Sequence, residues 1–406
     1  MRGGRAARKG DAPLFGLFHL LTLFLSALLW TLLAAWNTRA AALGLGPLAI
    51  GGFNGGAYVV YVASALLIAR RTDRWGSKRP LAAALFLFAA ALPTGLLWNG
   101  KGLGWMALTA GLTTLFYGFY YPCVEGLLSR AEAREGADPA GTTARFSLSW
   151  SAGNILGMAS GPWLIQCHPA WIFVGGSTVC VGAGAAALVH AARYGERLPG
   201  AYRAPAPRPA GGSPNRRGLR TAARASLFLA CLAFFGTMFL YPKVLWTEGV
   251  GASRIGPYAA CGNLTVFLLF LSLSGSRFWI GRPVWTAALC SGALSLFAAA
   301  FLLPAGSLAY ALLPALGGLA YAVPYAFALY YGLDTPDGDH AGQGALHETL
   351  IGLGLGLGPL ISGGLMEATG AWRSLGGLAA LLAALSLILH LGLARAGGRC
   401  AVPAKD

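Results

Sequence analysis

The sequence predicts an all-α polytopic membrane protein, with twelve transmembrane helices in two pseudo-symmetric six-helix bundles. Three observations predict it. The chain is too apolar and too sparsely charged for a soluble protein. Its apolar stretches recur along the whole length, each long enough to cross a bilayer. One long polar segment, 194–222, divides those stretches six and six.

Hydrophobic residues make up 56% of the 406 and charged residues only 11%. Mean hydropathy is +0.60. Soluble domains carry about 25% charged residues, so a soluble enzyme is excluded. Disorder is excluded too, because it needs low hydrophobicity. A helix crosses the roughly 30 Å hydrocarbon core in about 20 apolar residues. Such stretches occur at 14–36, 46–69, 80–98, 103–129, 144–166, 170–191, 223–245, 255–275, 283–303, 306–332, 343–366 and 371–394. They are continuous rather than alternating, which predicts helices and not barrel strands. The first follows a basic segment, Arg2 to Lys9, as in a signal peptide. It is longer than the usual apolar region of about 7–15 residues, so it reads as the first membrane helix.

The formal charge is +16, from 30 Lys+Arg and 14 Asp+Glu. A basic balance invites a nucleic-acid partner, but the placement of the charges argues against one. With the N-terminus inside, 25 of the 30 basic residues fall on cytoplasmic segments. Only Arg39, Lys101, Lys243, Arg254 and Arg373 fall outside. The positive-inside rule then puts both termini in the cytoplasm and requires an even number of helices. Abundant Arg, Ala and Gly suggest GC-rich bacterial coding, hence a bacterial inner membrane. The expected surroundings are the lipid bilayer, with no nucleic acid.

The segment 194–222 carries Pro199, Pro205, Pro207, Pro209 and Pro214 among Gly, Ala and Arg, which is linker chemistry. It separates an N-terminal bundle (1–193) from a C-terminal bundle (223–406). The bundles look related. Gly157, Gly161 and Pro162 recur as Gly354, Gly358 and Pro359, 197 residues on. Arg79-Pro80 recurs as Arg282-Pro283 after 203, and His190 as His390 after 200. Similar offsets point to a duplicated six-helix unit, and two parallel repeats of this kind are a transporter architecture. The seven cysteines contain no C-x-x-C pair and read as small buried hydrophobes. Trp36, Trp246 and Trp372 are expected in the outer interfacial belt.

The loop after the second stretch reads Ala69-Arg70-Arg71-Thr72-Asp73-Arg74-Trp75-Gly76-Ser77-Lys78-Arg79. It resembles the signature loop of the major facilitator superfamily: a glycine, then Asp-Arg, then Gly with basic residues. Asp73, Arg74, Gly76 and Lys78 match. Ala69, Arg71 and Ser77 depart from the pattern. Gly157-x-x-x-Gly161-Pro162 resembles the superfamily's antiporter motif, although Ile165-Gln166 replaces the Gly-Gly that follows. The resemblance implies a secondary transporter working by alternating access, with helices 1, 4, 7 and 10 lining a central cavity. It also implies a cytoplasmic gate of Asp73, Arg74, Gly76, Lys78 and Arg79, with Asp73 set against the N-terminal dipole of helix 11.

Neutral polar and aromatic side chains interrupt the apolar helices, and at those depths they are functional candidates. The expected substrate-binding set is Asn54, Tyr58, Tyr117, Tyr120, Tyr121, Trp150, Asn154, Tyr321 and Tyr325, with Asn263 as a further midplane amide. No charged residue is expected near the centre of a helix. Glu125, His347 and Glu348 fall near cytoplasmic ends, where they read as a gating network and as the candidates for proton coupling. His347-Glu348 opens like a zinc-protease motif, but Ile351 stands where the second histidine is required. Asp334, Asp337, Asp339 and His340 fit no calcium loop. No metal, no cofactor and no enzymatic activity are expected. The expected function is transport of a small neutral or amphipathic solute by a monomer, with protons as an open second partner. The alternative is a transporter-like sensor or assembly factor that does not transport.

Overall fold

The computed structural model describes residues 12–75, 78–98, 103–135, 139–194, 216–273, 276, 278–333 and 340–399. Twelve α-helices account for nearly all of them, and no strand occurs among the described residues. They are α1 (Ala12–Ala42), α2 (Pro47–Trp75), α3 (Lys78–Ala91), α4 (Leu103–Glu135), α5 (Pro139–Cys167) and α6 (Gly176–Tyr194). After 195–215 come α7 (Arg216–Thr247), α8 (Ala252–Leu273), α9 (Pro283–Ala300), α10 (Ser307–Leu333), α11 (His340–Thr369) and α12 (Ser374–Arg399). α7 begins at Arg216, inside the segment expected as linker. α3 tightens into a 3₁₀ turn at Leu92–Trp98, and a π turn at Trp171–Gly175 leads into α6.

Helices are what such a sequence must form, because hydrocarbon offers the backbone no other hydrogen-bond partners. Ten of the twelve are long and apolar enough to cross a membrane on their own. α4 and α5 are the other two. They carry Thr113, Thr114, Tyr117, Tyr120, Ser147, Trp150, Ser151 and Asn154, all buried against neighbouring helices. Their polar side chains are sheltered by the bundle, so they need not be lipid-compatible all round.

The packing repeats across the two halves. α5 packs on α1 as α11 packs on α7; α2 packs on α4 as α8 packs on α10; α3 pairs with α6 as α9 pairs with α12. The halves meet along two related seams, α5 with α8 and α2 with α11. Even the turns correspond. α1 ends with Gly44 at φ +78° and α7 with Gly249 at φ +76°. In each, the following amide reaches back to the last full turn: Leu45 N to Ala40 O at 3.1 Å, and Val250 N to Leu245 O at 2.9 Å. This is the Schellman termination, which favours glycine because L side chains resist that backbone conformation.

α11 explains its unusual glycine run. Gly352 and Gly356, one turn apart, face Tyr61 and Tyr58 of α2, whereas Gly354 and Gly358 face Cys231 and Leu232 of α7. Small residues at i and i+4 let helix backbones approach, and two interleaved pairs let α11 lie between two helices at once. α5 does the same against α1, where Gly153, Gly157 and Gly161 meet the Leu23, Ala27 and Thr31 carbonyls.

Trp36 departs from the expected belt position. It is fully buried, edge-on to Phe53 at 6.0 Å. Its ring packs inward against α2 instead of standing at the periphery of the bundle.

Candidate functional site

Eight helices, four from each half, wall a cavity of about 70 Å³ at mid-helix depth. α1 contributes Leu29 and Trp30; α2 contributes Tyr58 and Tyr61; α4 contributes Thr114, Tyr117 and Tyr121. α5 contributes Phe146, Trp150 and Asn154. From the other half come Phe234 and Phe235 of α7, Asn263 of α8, Tyr321 and Tyr325 of α10, and Glu348, Ile351 and Leu355 of α11. Helices 2, 5, 8 and 11 therefore reach the cavity as well as 1, 4, 7 and 10.

The aromatic walls are mutually braced. Phe234 and Tyr321 stack at 5.3 Å, and Tyr58 stacks across the halves on Phe239 at 5.7 Å. The Trp150 ring meets Tyr325 and Phe270 edge-on, each at 5.4 Å. Several tyrosines are fixed through their hydroxyls. Tyr117 donates to the Leu25 carbonyl, and Tyr121 pairs with Ser26 at 3.1 Å.

One bond joins the halves inside the cavity. Tyr61 Oη donates to Glu348 Oε2 at 2.6 Å, and Glu348 is buried. Glu348, expected within a few turns of the end of its helix as a gating and coupling candidate, thus reaches the cavity. α11 begins at His340, so Glu348 lies about 12 Å along it at 1.5 Å per residue. His347 is also buried, edge-on to Tyr325 at 5.0 Å, and neither ring nitrogen has a hydrogen-bond partner.

Seven of the nine expected substrate-binding residues line the cavity: Tyr58, Tyr117, Tyr121, Trp150, Asn154, Tyr321 and Tyr325. Asn54 and Tyr120 do not. Asn54 Nδ2 donates to Asn37 Oδ1 and to the Ile50 carbonyl, both at 2.8 Å, clasping α2 to α1. Tyr120 is fully buried and donates to Thr22 Oγ1 at 3.1 Å. Tyr61 was missed by the sequence reading. Its spacing of three from Tyr58, which places both on one helix face, was the available signal.

Of the expected gate, Lys78 is fully buried at the start of α3 and Arg79 is exposed. Gly76, the side chains of Asp73, Arg74, Glu125 and His340, and Asp334, Asp337 and Asp339 lie outside the described residues.

The family model described as Major Facilitator Superfamily matches residues 18–345. No curated protein matches this sequence. Among solved structures, the nucleoside transporter NupG is similar at a TM-score of 0.61 and 15% identity, covering 93% of this chain and 98% of its own. A bacterial homolog of the human lysosomal transporter Spinster, inward-facing and occupied, gives 0.61 at 16% identity, covering 97% and 98%. The same homolog, inward-facing and unoccupied, gives 0.61 at 13% identity, covering 97% and 96%. Identities this low carry the fold alone. With the family model spanning most of the chain, they establish that it belongs to the major facilitator superfamily of membrane transporters.

Proposed function

We propose that the protein is a secondary transporter that moves a small neutral or amphipathic solute across the bacterial inner membrane by alternating access. The expected bundles, 1–193 and 223–406, rock against each other, the second extended back to Arg216 by the start of α7. Both termini face the cytoplasm, as the charge placement requires, and the unit is a monomer. The face opposite the start of α1 is then the outer face.

The observation that carries this reading is the Tyr61–Glu348 hydrogen bond, which links the two halves within the cavity they share. A carboxylate at such depth is costly and marks function. Its protonation changes the bond that spans the halves, so proton binding and bundle separation are coupled. Glu348 is therefore the coupling residue. The aromatic and amide lining supports a neutral or amphipathic solute. The gate keeps its expected members, Asp73, Arg74, Gly76, Lys78 and Arg79.

The test is solute counterflow into proteoliposomes, with sugars, nucleosides, amino acids and lipophilic compounds, with and without an imposed pH gradient. Nucleosides join the panel because a structural relative carries them. At least one solute is expected to exchange and to accumulate when the gradient is imposed. Glu348→Gln is expected to keep exchange and lose the response to the gradient. Exchange of nothing by folded protein would favour the sensor or assembly role; an unchanged gradient response in Glu348→Gln would remove Glu348 from coupling.

A further inference from the structure

Three polar atoms on the cavity wall have no hydrogen-bond partner among the described residues: Trp150 Nε1, Asn154 Oδ1 and Asn263 Nδ2. Their residues are 5%, 2% and 2% exposed. Buried polar atoms are nearly always bonded, because leaving one unpaired costs stability. Here three gather on one wall. Trp150 and Asn154 are one turn apart on α5, hence on the same face. Asn263 is on α8, the helix packed against α5 across the halves. The indole is held by Phe270 and Tyr325, so its N–H cannot swing away to another partner without breaking both ring contacts.

We propose that this α5–α8 wall is a recognition subsite for an uncharged amide-type group, a carboxamide or lactam, whose flat or apolar body lies against the aromatic walls. The inference rests on the transport reading of the same cavity and names the ligand class. The wall offers an indole donor and two amides, each with one donor and one acceptor face. Of their polar atoms, two donors, Trp150 Nε1 and Asn263 Nδ2, and one acceptor, Asn154 Oδ1, are unpaired. An ammonium supplies only donors and would leave the indole N–H unpaired. A carboxylate supplies only acceptors and would leave Asn154 Oδ1 unpaired. A group with a carbonyl and an N–H satisfies the set, and a site built this way rejects analogues that lack either half. Mutual bonding between the helices is the alternative use of such residues, but these three atoms make no bond to one another or to any neighbour.

The test uses full-length protein in detergent at pH 7.5 and three probes of one shape: benzamide, benzoate and benzylamine. Benzamide is expected to raise the thermal midpoint by several degrees, the other two by less than about one degree, since only a ligand of the folded state stabilises it. Asn154→Leu and Asn263→Leu are expected to abolish the benzamide shift while leaving the ligand-free midpoint unchanged or higher, because each removes an unpaired polar group. Trp150→Phe keeps a ring and is expected to weaken benzamide binding about fivefold or more. A shift from benzylamine or benzoate as large as that from benzamide overturns the ligand class and leaves the cavity as the transport site. Ligand-free midpoints several degrees lower in both leucine variants assign the amides to helix bonding and overturn the subsite. No shift with any probe overturns it too, whereas the transport reading is judged independently by counterflow.

Discussion

Between α2 and α11 the backbones meet glycine to glycine, whereas between α5 and α8 a single glycine does the work. A Cβ on Gly51 would lie 2.2 Å from the Pro359 carbonyl oxygen, and one on Gly363 would lie 2.4 Å from that of Pro47. Gly55 faces Gly356 between them. On the other seam Gly256 meets the Ala159 carbonyl, where a Cβ would lie 2.3 Å away. The two seams occupy related positions in the repeat and carry different chemistry. The α2–α11 seam holds the carboxylates Glu348 and Glu367, each bonded to α2. The α5–α8 seam holds Trp150, Asn154 and Asn263, with no carboxylate on the cavity wall they form. A duplicated fold thus carries carboxylates on one seam and neutral hydrogen-bonding groups on the other. Backbone contact this close requires the facing positions of the α2–α11 seam to stay glycine while it is shut.

The largest expected effect tests that last point. Gly51→Val cannot be accommodated with the seam shut, because the new side chain meets backbone and not a flexible side-chain tip. Overpacking of this kind costs about 1–3 kcal/mol. Uptake in vesicles is expected to fall at least tenfold, and the thermal midpoint by several degrees. A Gly51→Val protein with near-normal uptake would show that the seam need not close during transport.

A smaller effect separates the bond from the charge. Tyr61→Phe and Glu348→Gln each remove part of one hydrogen bond, and bonds to charged groups contribute about 1.5–3 kcal/mol. If the two residues act through each other, the double variant costs less than the sum of the singles. Additive midpoints would show that Tyr61 and Glu348 act separately, and would cut the link between the carboxylate-bearing seam and the halves it joins.

The fold was legible because a bilayer leaves so few options. Runs of 20 apolar residues must be helices, and basic loops fix their direction. The site was legible where polarity interrupted those runs, which is why Trp150, Asn154, Tyr117 and Tyr121 were found. Depth and rotation were not legible. Glu348 lies about two turns into α11, near the end of its helix as its position in the sequence implies, yet it lines the cavity, which only packing decides. Asn54 and Tyr120 were placed in the cavity because helices apolar on every side give no sign of which face looks inward. Both instead point at α1, where Asn37 and Thr22 receive their hydrogen bonds. A polar residue inside a membrane helix announces a partner, and the sequence does not say whether that partner is a solute or another helix.

Glu367 gives the smallest and most selective expectation. It lies in the last turn of α11 and accepts from the Leu48 amide at 3.4 Å, in the first turn of α2. An anion there meets the positive end of the α2 dipole, so the contact favours a shut seam at that end of the helices. It is exposed, and exposed charges are screened by salt and contribute little. Glu367→Gln is therefore expected to leave the thermal midpoint within about 1 °C of the parent. The change should show in seam opening, read as alkylation of a cysteine placed at Leu48 and followed by mass of the labelled peptide. Labelling is expected to rise by less than about twofold at low salt, and the difference to vanish near 1 M salt, where the screening length is about 3 Å. The response to a pH gradient should be untouched, because of these two carboxylates only Glu348 lines the cavity. If Glu367→Gln abolishes that response, the two carboxylates of α11 work as one unit, and the division between a cavity carboxylate and one at the helix end along the same seam is lost.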